Sequence, residues 1–194
     1  MFFAVYLSVL AVLFSCDSKT EVAAPAEEKF RVDLSTWTPE VIKLPPGFAP
    51  KMPKGRETLL FAPGWRKPDA EDFWSYVFLM EIEESDLDSK RLKEIFELYF
   101  DGLIGAVGQG KAFDLPADPA DVLIRRNDGA HYSGLVKTYD AFGSGDELRL
   151  HVVVDTELSG ATATILRVQI SPQEPGKIEI WRSLKFAIDS LHFE

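Results

Sequence analysis

Three histidines and one serine in a glycine-rich turn are the side chains of this sequence best suited to chemistry. The histidines are His131, His151 and His192, and the serine is Ser144, between two glycines. A serine hydrolase needs a serine, a histidine and an acid together, with the serine often in a Gly-x-Ser-x-Gly turn between a strand and a helix. That pentapeptide is absent, and Ser144 is predicted between two strands, so a plain hairpin turn is favoured. A small hydrolase that uses His131 or His151 stays an alternative.

The same histidines are candidates for a metal site. Zinc ligands recur one helical turn apart or within short chelating loops, and these histidines have neither spacing. A hairpin centred near Ser144 would place His151 opposite residues around Lys137 and not opposite His131. The sequence therefore predicts separate structural or surface histidines, no metal ligand and no cofactor.

Five carboxylates near the middle of the chain have the composition of a calcium site. They are Glu81, Glu83, Glu84, Asp86 and Asp88. The run lacks the glycine and the distal glutamate of a calcium-binding loop. A solvated strand end followed by a helix start explains the same residues, because carboxylates are favourable at a helix N-terminus.

The most unusual local composition is the segment 61–68, which reads FAPGWRKP and precedes an acidic and aromatic stretch ending at Trp74. Tryptophan and arginine dominate binding hot spots. We therefore predict a partner-binding surface formed by Trp65, Arg66, Lys67 and Trp74. The alternative is that Trp65 closes the edge of the core, since large aromatic side chains bury easily.

Two helices are predicted from apolar residues that recur every three or four positions. The longer one spans Asp88 to Val107, with Asp86 or Asp88 as its cap and Gly108 or Gly110 at its end. The second spans about Ile180 to Leu191, with an inner face of Trp181, Leu184, Ile188 and Leu191.

Alternating apolar residues predict strands over most of the remaining chain. The first would be Lys29 to Leu34, followed by an irregular proline-rich segment with a short strand at Val41 to Leu44. Next come Glu57 to Ala62 and Phe73 to Glu83, the latter with Trp74, Tyr76, Phe78, Met80 and Ile82 facing the core. The second half predicts an antiparallel meander: Val122 to Arg126, His131 to Phe142, Glu147 to Leu158 and Ala161 to Ser171.

These elements predict an α+β fold class, in which a mostly antiparallel β-sheet is packed by one long helix and a C-terminal helix. The chain has 194 residues, of which 46% are hydrophobic, enough for a substantial core. Its net charge of -10 argues against nucleic acid as a partner, because phosphate binding needs clustered Lys and Arg.

The N-terminal segment ends an apolar run with Leu13-Phe14-Ser15-Cys16, which holds the single cysteine. This pattern resembles a bacterial lipoprotein signal. The resemblance implies cleavage before Cys16 and a lipid on its sulfur, hence a signal peptide at 1–15, the lipidated cysteine and a flexible tether at 16–28, and one α+β domain at 29–194. An ordinary secretory signal and an uncleaved anchor are alternatives, although a spanning helix needs about 20 apolar residues.

The order of the elements and the terminal helix that starts at Trp181 resemble the PsbP-like α/β/α sandwich. That resemblance implies an extracytoplasmic assembly or scaffold factor without chemistry of its own. We therefore expect a lipid-anchored, non-enzymatic binding or assembly module in the bacterial cell envelope, facing the periplasm or the exterior. The membrane, through the lipid, and another envelope protein are the expected partners. A small-molecule carrier is a further alternative, which would need an apolar cavity between the main helix and the sheet.

Overall fold

Seven strands form one sheet in the order β1-β2-β3-β7-β6-β5-β4, and all neighbours run antiparallel. The computed structural model describes residues 30–176 and 178–193. The strands are β1 (Thr38–Leu44), β2 (Gly55–Phe61), β3 (Tyr76–Ile82), β4 (Asp121–Asp128), β5 (His131–Tyr139), β6 (Glu147–Ser159) and β7 (Ala163–Ser171). The helices are α1 (Ser89–Gly108) and α2 (Ile178–Ser190), and a short 3-10 turn spans Leu34–Thr36.

The two helices cover opposite faces of the sheet. Helix α1 lies against β4 and β5, whereas α2 lies against β7 and β3. Two separate apolar clusters result, a large one beneath α1 and a smaller one around Val77, Leu79 and the inner face of α2. The predicted α+β class, with one long helix and a C-terminal helix on an antiparallel sheet, is confirmed.

Strand β3 lies near the middle of the sheet, and both of its faces are buried. The predicted core face is confirmed, since Tyr76, Phe78 and Met80 belong to the cluster beneath α1. The opposite face is buried as well, because Val77 and Leu79 pack under α2. The strand begins at Tyr76 and not at Phe73, since the residues before it form a loop.

The strand predicted at Lys29 to Leu34 is wrong within the described residues. Residues 30–33 form no regular structure, and a 3-10 turn follows. The side chain of Asp33 accepts a hydrogen bond from the backbone N–H of Ser35 at 3.0 Å, which starts this turn. Val32 and Leu34 pack on the α2-side cluster, so the alternation of apolar residues marks packing of a coil segment and not sheet pairing.

The proline-rich segment contains a longer strand than predicted. Strand β1 begins at Thr38 and includes Pro39, which lies opposite Leu60 of β2. Proline cannot donate to a neighbouring strand, but β1 is at the edge of the sheet and needs donors on one side only. The predicted limit at Val41 is therefore corrected to Thr38.

The predicted long helix and the hairpins are confirmed. Helix α1 begins after Asp88, whose side chain accepts from the N–H of Arg91 at 2.8 Å. It ends at Gly108, two residues before Gly110, which has a positive φ of 75°. Helix α2 begins two residues before the predicted start, and the buried side chains of its inner face include Leu184 and Ile188.

The described residues from Val32 onward form one compact unit. The described helices include none that combines the length and hydropathy needed to span a bilayer. The predicted signal peptide, Cys16 and the tether lie outside the described residues.

Candidate functional site

A cavity of about 270 Å³ opens between the second half of α1 and strands β1 to β3. Seven of its lining residues are aromatic: Phe48, Phe61, Trp65, Trp74, Tyr76, Tyr99 and Phe142. Four more are aliphatic: Ile42, Leu59, Leu103 and Val107. The charged lining residues are Glu40 and Arg66; both are exposed, and we call the solvent-facing rim of the cavity its mouth.

The loop between β2 and β3 carries Trp65 and Trp74 to the cavity, and its own backbone bonds hold it closed. The N–H of Ala62 donates to the carbonyl of Ser75 at 3.1 Å, and the N–H of Trp74 donates to the carbonyl of Trp65 at 2.9 Å. Gly64 is required at the tight approach to Asp72, because a Cβ at this position would lie 2.0 Å from the Asp72 carboxylate. The two tryptophans are therefore brought together although nine positions separate them in sequence.

Trp74 has a backbone conformation that bulky residues rarely adopt, with φ at 50°. Such strain costs on the order of 1–3 kcal/mol and persists only where the surroundings impose it. Here the indole N–H donates to the carboxylate of Asp140 at 3.1 Å, and the side chain is only 2% exposed. The strained backbone points this indole at the cavity.

Asp140 holds the turn between β5 and β6 against this loop. Its carboxylate accepts from the backbone N–H of Gly143 at 3.1 Å and from that of Ser144 at 3.0 Å, in addition to Trp74. The turn presents Phe142, whose ring packs edge-on against Trp65 at 5.3 Å between centroids. Trp65 is also stacked on Phe61, with the ring centroids 4.4 Å apart. One buried carboxylate thus aligns the aromatic walls that two loops contribute.

The structure brings three of the four predicted partner-binding residues to this cavity. Trp65, Arg66 and Trp74 line it, whereas Lys67 is exposed and is not part of the lining. The guanidinium of Arg66 lies 5.4 Å from the ring of Trp65 and 5.2 Å from that of Phe142. A cation of the chain itself therefore covers aromatic faces at the mouth.

Sequence reasoning missed Glu57, a fully buried acid beside the cavity. Neither of its carboxyl oxygens has a hydrogen-bond partner, and its exposed fraction is 0%. Burial raises the pKa of Glu57 to about 8, the nearby Tyr99 hydroxyl opposes that rise, and Glu40 adds to it. The sequence did carry a signal for this burial. Glu57 lies two residues before Leu59 and four residues before Phe61, so the three side chains share one face of β2.

Two buried tyrosines share this environment. Burial raises the pKa of Tyr76 and that of Tyr99, and the charge of Glu57 contributes to both shifts. Both tyrosines line the cavity, and Glu57, which does not, shares a strand face with the lining residues Leu59 and Phe61. At neutral pH these groups present an uncharged floor to the cavity.

The histidines are placed apart from the cavity and from one another. His131 lies opposite Asp155 of β6, and its Nδ1 forms an ion pair with that carboxylate on the sheet surface. His151 lies opposite Leu135, within two residues of the predicted position. Among the described residues, neither histidine is hydrogen-bonded to a serine hydroxyl.

The predicted hairpin role of Ser144 is confirmed. The serine lies in the turn between β5 and β6, where its hydroxyl is 3.4 Å from the carboxylate of Asp140 and accepts from the N–H of Asp146 at 3.2 Å. The hydroxyl is thus used within the turn.

Several of the five carboxylates considered as a calcium site are already bound by hydrogen-bond donors of the protein itself. Glu81 pairs with Arg56 at 2.9 Å, Glu84 binds the guanidinium of Arg91 through both oxygens, and Asp88 caps α1. Within residues 30–176 and 178–193, no three His, Cys, Asp or Glu side chains are grouped so as to hold a metal ion.

No family model, curated protein or solved structure matches this chain. The chemistry of the cavity itself is clear: its lining is mostly aromatic and aliphatic, and it contains no serine, cysteine or histidine among the described residues. Such a lining binds through burial of apolar surface and through the faces of its rings, with a few polar groups to orient the occupant.

Proposed function

We propose that this protein is a lipid-anchored binding module of the bacterial cell envelope, and that its aromatic cavity holds a small, mainly apolar ligand. The observation that carries the binding role is the cavity of about 270 Å³ with seven aromatic side chains in its lining. A closed apolar cavity of about 150 Å³ takes up benzene. This one has room for a ligand somewhat larger than a single ring.

Two further features support the proposal. The lining is held in place by buried bonds such as that of Trp74 to Asp140, so the site is formed before a ligand arrives. The sequence Leu13-Phe14-Ser15-Cys16 supports the anchor. A binding role is favoured over hydrolysis because the histidines lie away from the cavity.

The binding role is tested with nuclear magnetic resonance on isotopically labelled protein. Each of the four tryptophans has one indole N–H signal, and only Trp65 and Trp74 line the cavity. Titration with indole or naphthalene should shift the Trp65 and Trp74 signals and leave those of Trp37 and Trp181 in place. Shifts spread evenly over all four signals, or none at all, would refute the cavity as a ligand site.

A filled-cavity variant and its control sharpen that test. Leu103 on α1 lines the cavity, whereas Ala106 on the same helix is exposed and does not. Leu103→Trp should abolish the titration shifts because the larger side chain occupies the ligand volume. Ala106→Trp should leave them unchanged.

The anchor is tested separately by intact mass and membrane fractionation of the full-length protein expressed in a bacterium. Cleavage before Cys16 with added acyl chains, lost together with membrane association in Cys16→Ser, is the expected result. An unlipidated protein in the soluble fraction would refute the anchor and leave the cavity to be judged on its own test.

A further inference from the structure

The mouth of the cavity is arranged for positive charge. Arg66 is exposed, and among the described residues it forms no ion pair with a carboxylate. Its guanidinium lies instead over Trp65 at 5.4 Å and over Phe142 at 5.2 Å. The face of an aromatic ring is the negative end of its quadrupole and attracts cations. The chain thus covers these ring faces with a cation of its own.

Two carboxyl groups flank the same aromatic lining. Glu40 lines the cavity and is exposed at its mouth. Glu57 is fully buried on the strand face that continues through Leu59 into the lining, and its carboxyl oxygens have no hydrogen-bond partner. A carboxylate at the mouth attracts cations and repels anions. Glu40 therefore favours a cationic occupant over an anionic one, whereas Glu57 keeps its proton near neutral pH and adds no charge.

We propose, building on the binding function above, that the cavity selects a small organic cation, a quaternary ammonium or a protonated amine on a hydrocarbon body. The cationic group takes the place of the Arg66 guanidinium on the rings of Trp65 and Phe142. The hydrocarbon body fills the apolar interior beside Tyr76 and Tyr99. Arg66 is then a competitor that leaves the rings when the ligand enters.

The sign of the effect of Arg66 separates this proposal from its opposite. An amphipathic anion would use Arg66 as its counter-ion, so Arg66→Ala would weaken its binding. A cation competes with Arg66 for the rings and is repelled by its charge, so Arg66→Ala would tighten binding. Because Arg66 is exposed and outside the core, the substitution leaves the fold intact.

The experiment compares three probes by the same indole titration: benzyltrimethylammonium, its uncharged carbon analogue neopentylbenzene, and benzenesulfonate. We expect the cation to bind about tenfold more tightly than the neutral analogue, a typical effect of a partly desolvated cation on aromatic faces. Arg66→Ala should increase the affinity for the cation by about threefold or more and leave the affinity for the neutral analogue nearly unchanged. Glu40→Gln should decrease the affinity for the cation by a similar factor.

Lys67→Ala is the matched control, since it removes an adjacent exposed charge that does not line the cavity. It should change each affinity by less than about twofold, because its charge does not line the cavity and solvent screens it. Equal binding of cation and neutral analogue would overturn the cation proposal and leave the binding function standing. If the sulfonate binds most tightly and Arg66→Ala abolishes its binding, the cavity selects an anion and not a cation. Absence of binding by all three would overturn the cation proposal, and the binding function would be refuted if indole and naphthalene also failed to bind.

Discussion

The indole N–H of Trp74 donates a 3.1 Å hydrogen bond to Asp140, which lies 66 positions later in the sequence. Both side chains are buried, at 2% and 3% exposure. This bond joins the loop that follows β2 to the turn that follows β5, and each of the two contributes aromatic walls to the cavity. The site therefore depends on a contact between segments that are distant in the chain.

Loss of the Asp140 carboxylate should destabilise the protein strongly. Asp140→Ala leaves the buried indole N–H and the N–H groups of Gly143 and Ser144 without their acceptor. We expect the free energy of unfolding to fall by about 2–4 kcal/mol in urea denaturation. Asp146→Ala, an exposed acid in the same turn, should change it by less than about 0.5 kcal/mol. Equal effects of the two substitutions would contradict the role assigned to Asp140.

Two glycines of α1 should respond to alanine in opposite directions. A Cβ at Gly102 would lie 2.2 Å from the carbonyl oxygen of Phe48, a residue of the cavity lining. Gly102→Ala should therefore destabilise the protein and displace Phe48, despite the better helix propensity of alanine. Gly105 is exposed, and a Cβ added there would meet nothing within 4 Å, so Gly105→Ala should stabilise by about 0.5–1 kcal/mol. Thermal or urea unfolding of both variants decides the matter, and a stabilised Gly102→Ala protein would disprove the close approach.

Glu57 should make the protein less stable as the pH rises. The folded state holds its proton up to about pH 8, whereas the unfolded chain releases it near the ordinary value of 4.5. Between these values the unfolded state binds fewer protons, so rising pH favours unfolding by at most about 1.4 kcal/mol per unit. Glu57→Gln removes this dependence. Its free energy of unfolding, relative to that of the wild type, should therefore rise from pH 5 to pH 8.

The control for that measurement is Glu83→Gln, because Glu83 is an exposed acid at the end of β3. The difference in free energy of unfolding between this variant and the wild type should stay constant over the same pH range. Parallel pH profiles for the wild type and Glu57→Gln would show that Glu57 is not held protonated.

His131 should titrate above the usual histidine range. Its hydrogen bond to Asp155 raises the pKa of His131 above 6.5, with the charges of Asp155 and Asp128 adding to the rise and slight burial opposing it. The pair therefore stabilises the fold below pH 6.5 and loses this effect as the pH passes through the raised pKa. Proton resonance titration of the imidazole should give a raised pKa that returns towards 6.5 in Asp155→Asn. An unchanged value in that variant would show that the pair does not form in solution.

Local sequence patterns were sufficient for the elements that have a clear period. The three- and four-residue spacing around Phe96 and Phe100 predicts α1, and the glycines beside Ser144 predict the hairpin between β5 and β6. Patterns are misleading at residues 30–34, where apolar side chains alternate because a coil segment packs on the α2-side cluster. In the sequence, Pro39 argues against a strand. The structure tolerates it because β1 lies at the sheet edge, which depends on how β1 pairs with β2 and is not visible in the sequence.

The sequence by itself determined the α+β class and the unusual aromatic loop, because periodicity and composition are carried by neighbouring residues. It marked Trp65, Arg66 and Trp74 as a candidate recognition cluster without showing that they surround a cavity. Only the tertiary structure decided that Phe142 and Tyr99 join them, that Asp140 aligns them, and that Glu57 is buried behind them. These relationships depend on which distant segments pack together, and side-chain burial, pKa and cavity volume are properties of that packing.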